Sequence, residues 1–473
     1  MGGMVKIVGN AGGQKNASPE IRNLRTDGTI TPTSFTIKYI AEDFENTILR
    51  HYLILNNVKS EITKTVGYER PNNEFTYELN NLTHNTLYSI KIEVTDGINI
   101  IQSNLLEVRT ESAVIYGIKI LENNSNPKTC VTYINDAVDI GVAQQYSLGG
   151  WANKFPFNQI KLVGLKNGQE TKEVNPNNKL NYYGGIPVPA DVDVMVRIPK
   201  VYWKVNTIAN GYEIRISNVK VDSTYDCYAH KVNNIEKDNI YVGAYLGYVE
   251  NNKLRSKSGV SATMKKSLSD FRSYAQNNGN GYQQMTWFTL TLLRILFVLA
   301  YKNLNCQDAL GFGVSLSTSA NTGGTNVQGM IYGNKADGSH QVCFCGVEDF
   351  YGNYHQWVDG IYIDSDGGVN VLLDNSTFNN EYSGYTKTQA TTSNNLSQQI
   401  MHVTKDSKGL FVPSLTGASD STHYCDYTLI RTGYCGTFGG SSMDDKRVGI
   451  FNMIFNYYPE TSPTNTTSRL CYL

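Results

Sequence analysis

Charge of either sign is scarce in this chain and nearly balanced: of 473 residues 18% are Asp, Glu, Lys or Arg, 41 basic against 42 acidic. The net charge of -1 leaves no long-range field to draw in a phosphate backbone or an anionic lipid surface, so no nucleic-acid partner is expected. Long apolar runs are missing too. The longest, Trp287 to Tyr301, carries Arg294 and falls short of the ~20 residues a bilayer span requires, so it reads as a buried helix and no membrane insertion is expected. The start, MGGMVKIVGNAGG, has no charged-then-apolar leader, which points to synthesis in the cytoplasm without a signal peptide. The cysteines, at 130, 227, 306, 343, 345, 425, 435 and 471, include no CxxC spacing, which removes zinc-ribbon and thioredoxin readings. Free thiols are expected, and Cys425 with Cys435 is the one pair worth testing for a bridge across a hairpin. No Gly-rich phosphate loop precedes a helix, and the seven histidines stand in no His/Asp/Ser or His/Cys arrangement. Neither cofactor, metal nor enzymatic activity is expected.

What the chain does have is tyrosine, 32 against 16 Phe and 4 Trp, beside 42 Gly and many Asn, Ser and Thr. Tyrosine offers a stiff contact area with a polar tip, and Gly, Ser and Asn make adaptable loops, the mixture found in antibody paratopes. An AT-rich genome, or the strand preference of Tyr in any all-β protein, yields the same excess. With 40% apolar residues the chain can bury packed cores, and its length suggests about two to four domains.

Residues 1–17, Gly-rich and ending in GGQKNAS, read as an arm or linker. From 18 to 110 apolar alternation recurs in SFTIKYI, RHYLILN, EFTYEL, LYSIKIEVTD and LLEVRT, about six or seven short strands that imply a β-sandwich. The stretch LNNLTHNTLYSIKIEVTDG resembles the end of a fibronectin type III domain, with Leu82, Thr86 and Tyr88 at its tyrosine corner and Tyr39 in place of the usual tryptophan plug. The resemblance implies that Tyr88 bonds back to the backbone near Leu82. Such a domain is expected to act as a spacer or docking platform.

Residues 111–473 read as one further domain of α+β type, with 111–190 as its opening strand and a long loop. Val131 to Ala143 reads as that first strand and turn, followed by the polar loop GLKNGQETKEVNPNNKLNYYGGIPVPADV. DVMVRIPKVYWKV and GYEIRISNVKV read as two alternating strands. Ser267 and Asp270 form a capping box for a short helix, and Trp287, Leu290, Leu293, Arg294, Phe297 and Tyr301 repeat at helical spacing in a second.

The ordered segments DVDVMVRIPKVYWKV, IYVGAYLGYVENNKLRSKSG, WFTLTLLRILFVLAYKNLNCQDALGFG and GVEDFYGNYHQWVDGIYI resemble the C-terminal adhesive domain of phage and prophage tail proteins. That family is similar to the C-type lectin fold shared with the formylglycine-generating enzyme and with retroelement variable proteins. The GGS turn at Gly439 to Ser441, the strand at Gly449 to Phe451 and the closure at Ser468 to Leu470 match the family's last elements. The fold class is therefore expected to be mainly β and multidomain, a fibronectin III-like sandwich followed by a C-type lectin-like domain. What the resemblance implies is a phage or phage-tail-like adhesin in the virion tail, without catalysis. It would attach non-covalently to a bacterial cell-surface glycan or surface protein, alongside other tail or baseplate subunits and as a homotrimer. The alternatives are a structural baseplate subunit and an oxidase of the formylglycine-generating type.

Within that frame DSDGG, Asp364 to Gly368, invites a calcium reading, but the twelfth loop position holds Asn375 and a β-turn explains it better. The aromatic cluster Phe350, Tyr351, Tyr354, His355 and Trp357 reads as core in preference to a sugar shelf. Ligand contacts are expected in the terminal loops, at Tyr434, Phe438, Ser442, Met443, Asp444, Asp445, Asn452, Asn456, Tyr457, Tyr458 and Glu460. Arg469 reads as structural.

Overall fold

The computed structural model describes residues 16–44, 48–66, 74–334 and 337–473, so all but the last two residues of the expected N-terminal arm lie outside the described residues. The protein is mainly β and divides into two compact units, Met1–Ala113 and Val114–Leu473.

In the first unit, strands β1 (Glu20–Asp27), β2 (Phe35–Glu42) and β5 (Glu74–Leu79) form one antiparallel sheet. Strands β3 (Ile48–Leu55), β4 (Val58–Val66), β6 (Leu87–Thr95), β7 (Ile100–Gln102) and β8 (Leu106–Arg109) form another, ordered β4-β3-β6-β7 with β8 also on β6. Period-2 alternation sends Phe35, Ile37 and Tyr39 of one sheet and Ile90, Ile92 and Val94 of the other into one shared core. Tyr39 is the aromatic plug: it is buried, stacks on Phe75 and hydrogen-bonds His51 Nδ1 at 2.9 Å. The Tyr88 hydroxyl accepts from Thr83 N at 2.7 Å, the back-bond to the Leu82 turn expected of a tyrosine corner.

The second unit opens one strand earlier than expected. Strand β9 (Ile115–Leu121) precedes β10 (Val131–Asn135) and pairs with it, while 136–143 is irregular. Part of the expected long loop is a hairpin of β11 (Lys161–Lys166) and β12 (Gln169–Glu173). Asn167 and Gly168, both with positive φ (51° and 73°), form its two-residue turn, the tight reversal an Asn-Gly pair favours. DVMVRIPKVYWKV is two strands rather than one. Pro199 supplies no N–H to continue a ladder, and the chain passes from β13 (Asp193–Pro199) in one sheet to β14 (Tyr202–Ile208) in another. Strand β15 (Gly211–Ser217) pairs with both β14 and β9.

Helix α1 (Leu268–Gln276) starts at the Ser267–Asp270 capping box. Helix α2 (Trp287–Tyr301) is capped by Thr286, and every one of its residues is buried, as befits a helix apolar on all sides. No helix among the described residues is long and apolar enough to cross a membrane. Arg294 of α2 is wholly buried: its Nε donates to Ile450 O at 2.6 Å and its Nη2 to Met453 Sδ at 2.9 Å, while Nη1 has no hydrogen-bond partner among the described residues.

A large mixed sheet carries the C-terminal part. Its order begins with Thr386–Thr391, Gly368–Val371, His355–Ile363, Tyr434–Gly439 and Gly449–Tyr457, and continues with Tyr427–Ile430, Leu396–Val403 and Pro413–Thr416. The cluster Phe350, Tyr351 and Trp357 is core, and Trp357 donates its indole N–H to Lys266 O. The DSDGG segment is a turn, with Asp364 Oδ1 accepting from the amides of Asp366 and Gly368 and Lys387 Nζ 2.8 Å from Oδ2. Arg469 is wholly buried and donates to Gln356 Oε1 and to the carbonyls of Gly243, Glu348 and Asp349. All eight cysteines are free and buried. Cys425 precedes the Tyr427–Ile430 strand and Cys435 lies in Tyr434–Gly439; the Gly449–Tyr457 strand stands between those two strands, so the cysteines do not pair across a hairpin.

Candidate ligand-binding site

The eleven expected contact residues distribute along one hairpin, Tyr434–Gly439 and Gly449–Tyr457, and the segment after it. Three of them are buried: Phe438 and Asn452, 0% and 1% exposed, lie on strands in the middle of a sheet covered on both faces, and Ser442, 6% exposed, lies in the turn between those strands with its amide donating to Asn353 O. Asn452 Nδ2 is spent on Arg447 O and the Ser442 hydroxyl on that of Ser319. The remaining residues form two groups at opposite ends of the strand pair. Since Cys435 is registered with Tyr457 and Gly439 with Gly449, the ends are roughly 15 Å apart at the rise of an extended chain.

The first group is Tyr434, Asn456, Tyr457, Tyr458 and Glu460. Tyr458 is 59% exposed, and its ring packs on that of Tyr434 at 4.8 Å. The hydrogen bond that the Tyr458 hydroxyl donates to Tyr434 raises the Tyr458 phenol above its ordinary pKa. Tyr457 is half-buried against Trp357 in an edge contact at 5.6 Å. Glu460 Oε1 accepts from Asn380 Nδ2 at 2.8 Å, which brings in a loop the sequence reading did not single out. That loop, 377–385, carries Asn379, Asn380, Glu381, Tyr382 and Tyr385, the same Tyr and amide chemistry as the terminal loops. Tyr382 stacks on Tyr362 at 4.0 Å and meets Tyr385 edge-on. Composition was the available signal; its distance in sequence from the terminal turns hid it.

Beneath this group lies a rigid polar base. Arg272 of α1 makes a two-pronged bond to Asp359, at 2.8 and 3.0 Å, and its Nη1 donates to Asn380 Oδ1 at 2.5 Å. Burial opposes the Arg272 charge, and Asp359 outweighs it, so the guanidinium pKa is raised. Ser269, in the first turn of α1, donates its amide and hydroxyl to Pro459 O, fixing the turn that presents Tyr458 and Glu460. Cys435 donates to Tyr457 O, and burial followed by the Asp359 charge pushes its thiol up to about 12. A thiol so placed is a poor nucleophile and metal ligand.

The second group is Met443, Asp444 and Asp445, of which Met443 is 83% exposed. Asp444 lies 3.1 Å from His355 Nε2 and accepts from the Ser441 amide and hydroxyl. Burial works against the Asp444 carboxylate, but these donors and the His355 charge overcome it and hold its carboxyl well below the usual range. Segment 458–465 joins the groups: it leaves at Tyr458 and returns at Asn465, whose carbonyl accepts from His355 N. The arrangement is a long, shallow rim, aromatic and amide-rich at one end and acidic at the other.

One cluster among the described residues has metal-ligand spacing, Asp226, Cys227 and Glu236, with donor atoms within 4.8 Å of one another. Lys231 pairs with Asp226, Lys200 lies 3.5 Å from Glu236, and the Tyr202 hydroxyl donates to Glu236. Burial, then the Glu236 and Asp226 charges, push the Cys227 thiol up to about 12. These carboxylates are already neutralised, which does not suit a cation.

No family model and no curated protein matches the chain. Among solved structures it is similar to the Major Tropism Determinant U1 variant, at 12% identity and TM-score 0.26, covering 82% of this chain and 81% of that one. The M1 variant of the same protein aligns at 13% identity and TM-score 0.28, with coverage of 82% and 81%. The sensor domain of the anti-sigma factor RsgI4 of Pseudobacteroides cellulosolvens aligns at 18% identity and TM-score 0.17, covering 20% of this chain and 97% of that domain. At TM-scores this low, the likenesses carry no inference about function.

Proposed function

We propose that the protein is a non-enzymatic receptor-binding adhesin of a phage or phage-tail-like particle, attaching to a polymer on the bacterial cell surface through the 434–465 rim. The observation that carries the reading is the pair of exposed Tyr458 on half-buried Tyr434, fixed from below by the Arg272–Asp359 bond and by Ser269 on Pro459. Rigid aromatic anchors beside adaptable amides form a binding surface with little ordering entropy left to lose. A rim roughly 15 Å long matches several units of an extended chain better than one small molecule in a pocket. The order of motifs from Val131 to the C-terminus, similar to phage tail adhesive domains, supports the same reading. Single sites of this shallow kind bind weakly, so a homotrimer displaying several heads is the expected working form.

The test is adsorption of the purified full-length protein to intact cells of candidate hosts, compared with cells stripped of surface polysaccharide and with cells shaved by protease. Saturable adsorption lost on one treatment supports the reading and names the ligand class. Absence of adsorption to every strain its particle infects would overturn it in favour of a structural tail subunit.

A further inference from the structure

A cleft of about 380 Å³ is lined by none of the rim residues. Its mouth carries Tyr146, Asn177 and Gln328, and its floor is Phe157, Ile160 and Ile331. Tyr146 is 62% exposed, an unusual position for so large a ring, and it is steadied by Tyr332 at 5.7 Å between centroids. Asn177 and Gln328 are exposed, and among the described residues neither side-chain amide is engaged by a protein partner. The floor residues are buried. The cleft therefore combines one available aromatic face, two free amides and an apolar end.

Its charge is the discriminating feature. No residue lining this cleft bears a formal charge, whereas four other clefts of similar size each include Lys, Asp or Glu. An ionised ligand would lose hydration here with no counter-charge in return. A purely apolar ligand would leave the amides unused. A neutral sugar ring fits the mouth, with its C–H face on Tyr146 and its hydroxyls on Asn177 and Gln328. The apolar floor then calls for an apolar substituent on that sugar, and an acetamido methyl is the common neutral one. We infer that this cleft binds a neutral N-acetylated amino sugar, with Tyr146 as the stacking platform and the Phe157, Ile160 and Ile331 floor receiving the acetyl methyl. The site is independent of the 434–465 rim and does not require the rim to bind anything.

The experiment is saturation-transfer NMR on the full-length protein with N-acetylglucosamine, glucose and glucuronic acid as separate probes. Transfer is expected to be strongest at the acetyl methyl, weaker for glucose and absent for glucuronic acid. Tyr146→Ala and, separately, Asn177→Ala should each weaken N-acetylglucosamine binding about fivefold or more without moving the melting transition, both side chains being exposed. Tyr458→Ala, in the rim, should leave it unchanged. No transfer to N-acetylglucosamine, equal transfer to glucuronic acid, or binding that survives both cleft variants would overturn the inference. Loss on Tyr458→Ala alone would place sugar binding at the rim and overturn it equally.

Discussion

Replacing Arg272 by Met removes one partner of a pair whose side chains are only 10% and 3% exposed. Asp359 would then keep Gln284 Nε2 at 3.1 Å and the Gly360 amide at 2.9 Å but lose both guanidinium bonds in a setting that excludes water. Breaking a buried pair from one side costs about 3–5 kcal/mol, because the remaining charge is stranded. For a unit as large as Val114–Leu473, the unfolding entropy translates this into a melting shift of about 4–7 °C. The loss should persist in high salt, since buried pairs are little screened. The double variant Arg272→Met, Asp359→Leu removes both charges together and should recover most of the loss. Calorimetry of the three proteins decides the matter. A shift below about 1 °C for the single variant, or a double variant as unstable as the single, would refute the argument that this bond is the rim's foundation.

Acid should weaken the protein through its buried imidazoles. Burial lowers the folded-state pKa of His51, and of His230, from 6.5 to about 4. The unfolded chain therefore takes up protons first as pH falls. The contribution is complete above about pH 6.5 and drains away between pH 6.5 and 4, by at most about 3 kcal/mol per group. In the Tyr39→Phe, His51→Phe double variant the pH slope of the first unit's unfolding should flatten over that window; an unchanged slope would count against His51. Tyr88→Phe leaves the Thr83 amide, now 2.7 Å from the hydroxyl, without its acceptor. Denaturant unfolding should show a loss of about 1–2 kcal/mol confined to the first unit.

Where one face of a strand met solvent, the sequence was easy to read: β2, β6 and β15 alternate, and Tyr88 and Ser267 bond as their local motifs require. Legibility failed where both faces are covered. The Gly449–Tyr457 strand is buried through its first five residues, so no alternation marks Asn452 as internal, and its polarity suggested a ligand contact instead. Pro199 was a visible signal of a strand end, and Asn167-Gly168 a visible signal of a hairpin. Both sat inside longer runs that read as single elements. The rim depended on long-range partners. Arg272, Asp359, Asn380 and Glu460 meet across separations of 87, 108 and 80 residues, and local pattern carries no trace of such pairings.

The most direct test is equilibrium binding of the full-length Tyr434→Ala, Tyr458→Ala double variant to the cell-surface fraction that retains the parent protein. Tyrosine anchors of a binding surface each contribute about 1–2 kcal/mol or more, so the account predicts a Kd weaker by about tenfold or more with the melting transition unchanged. Parent-like affinity in that variant, with the fold intact, would contradict it.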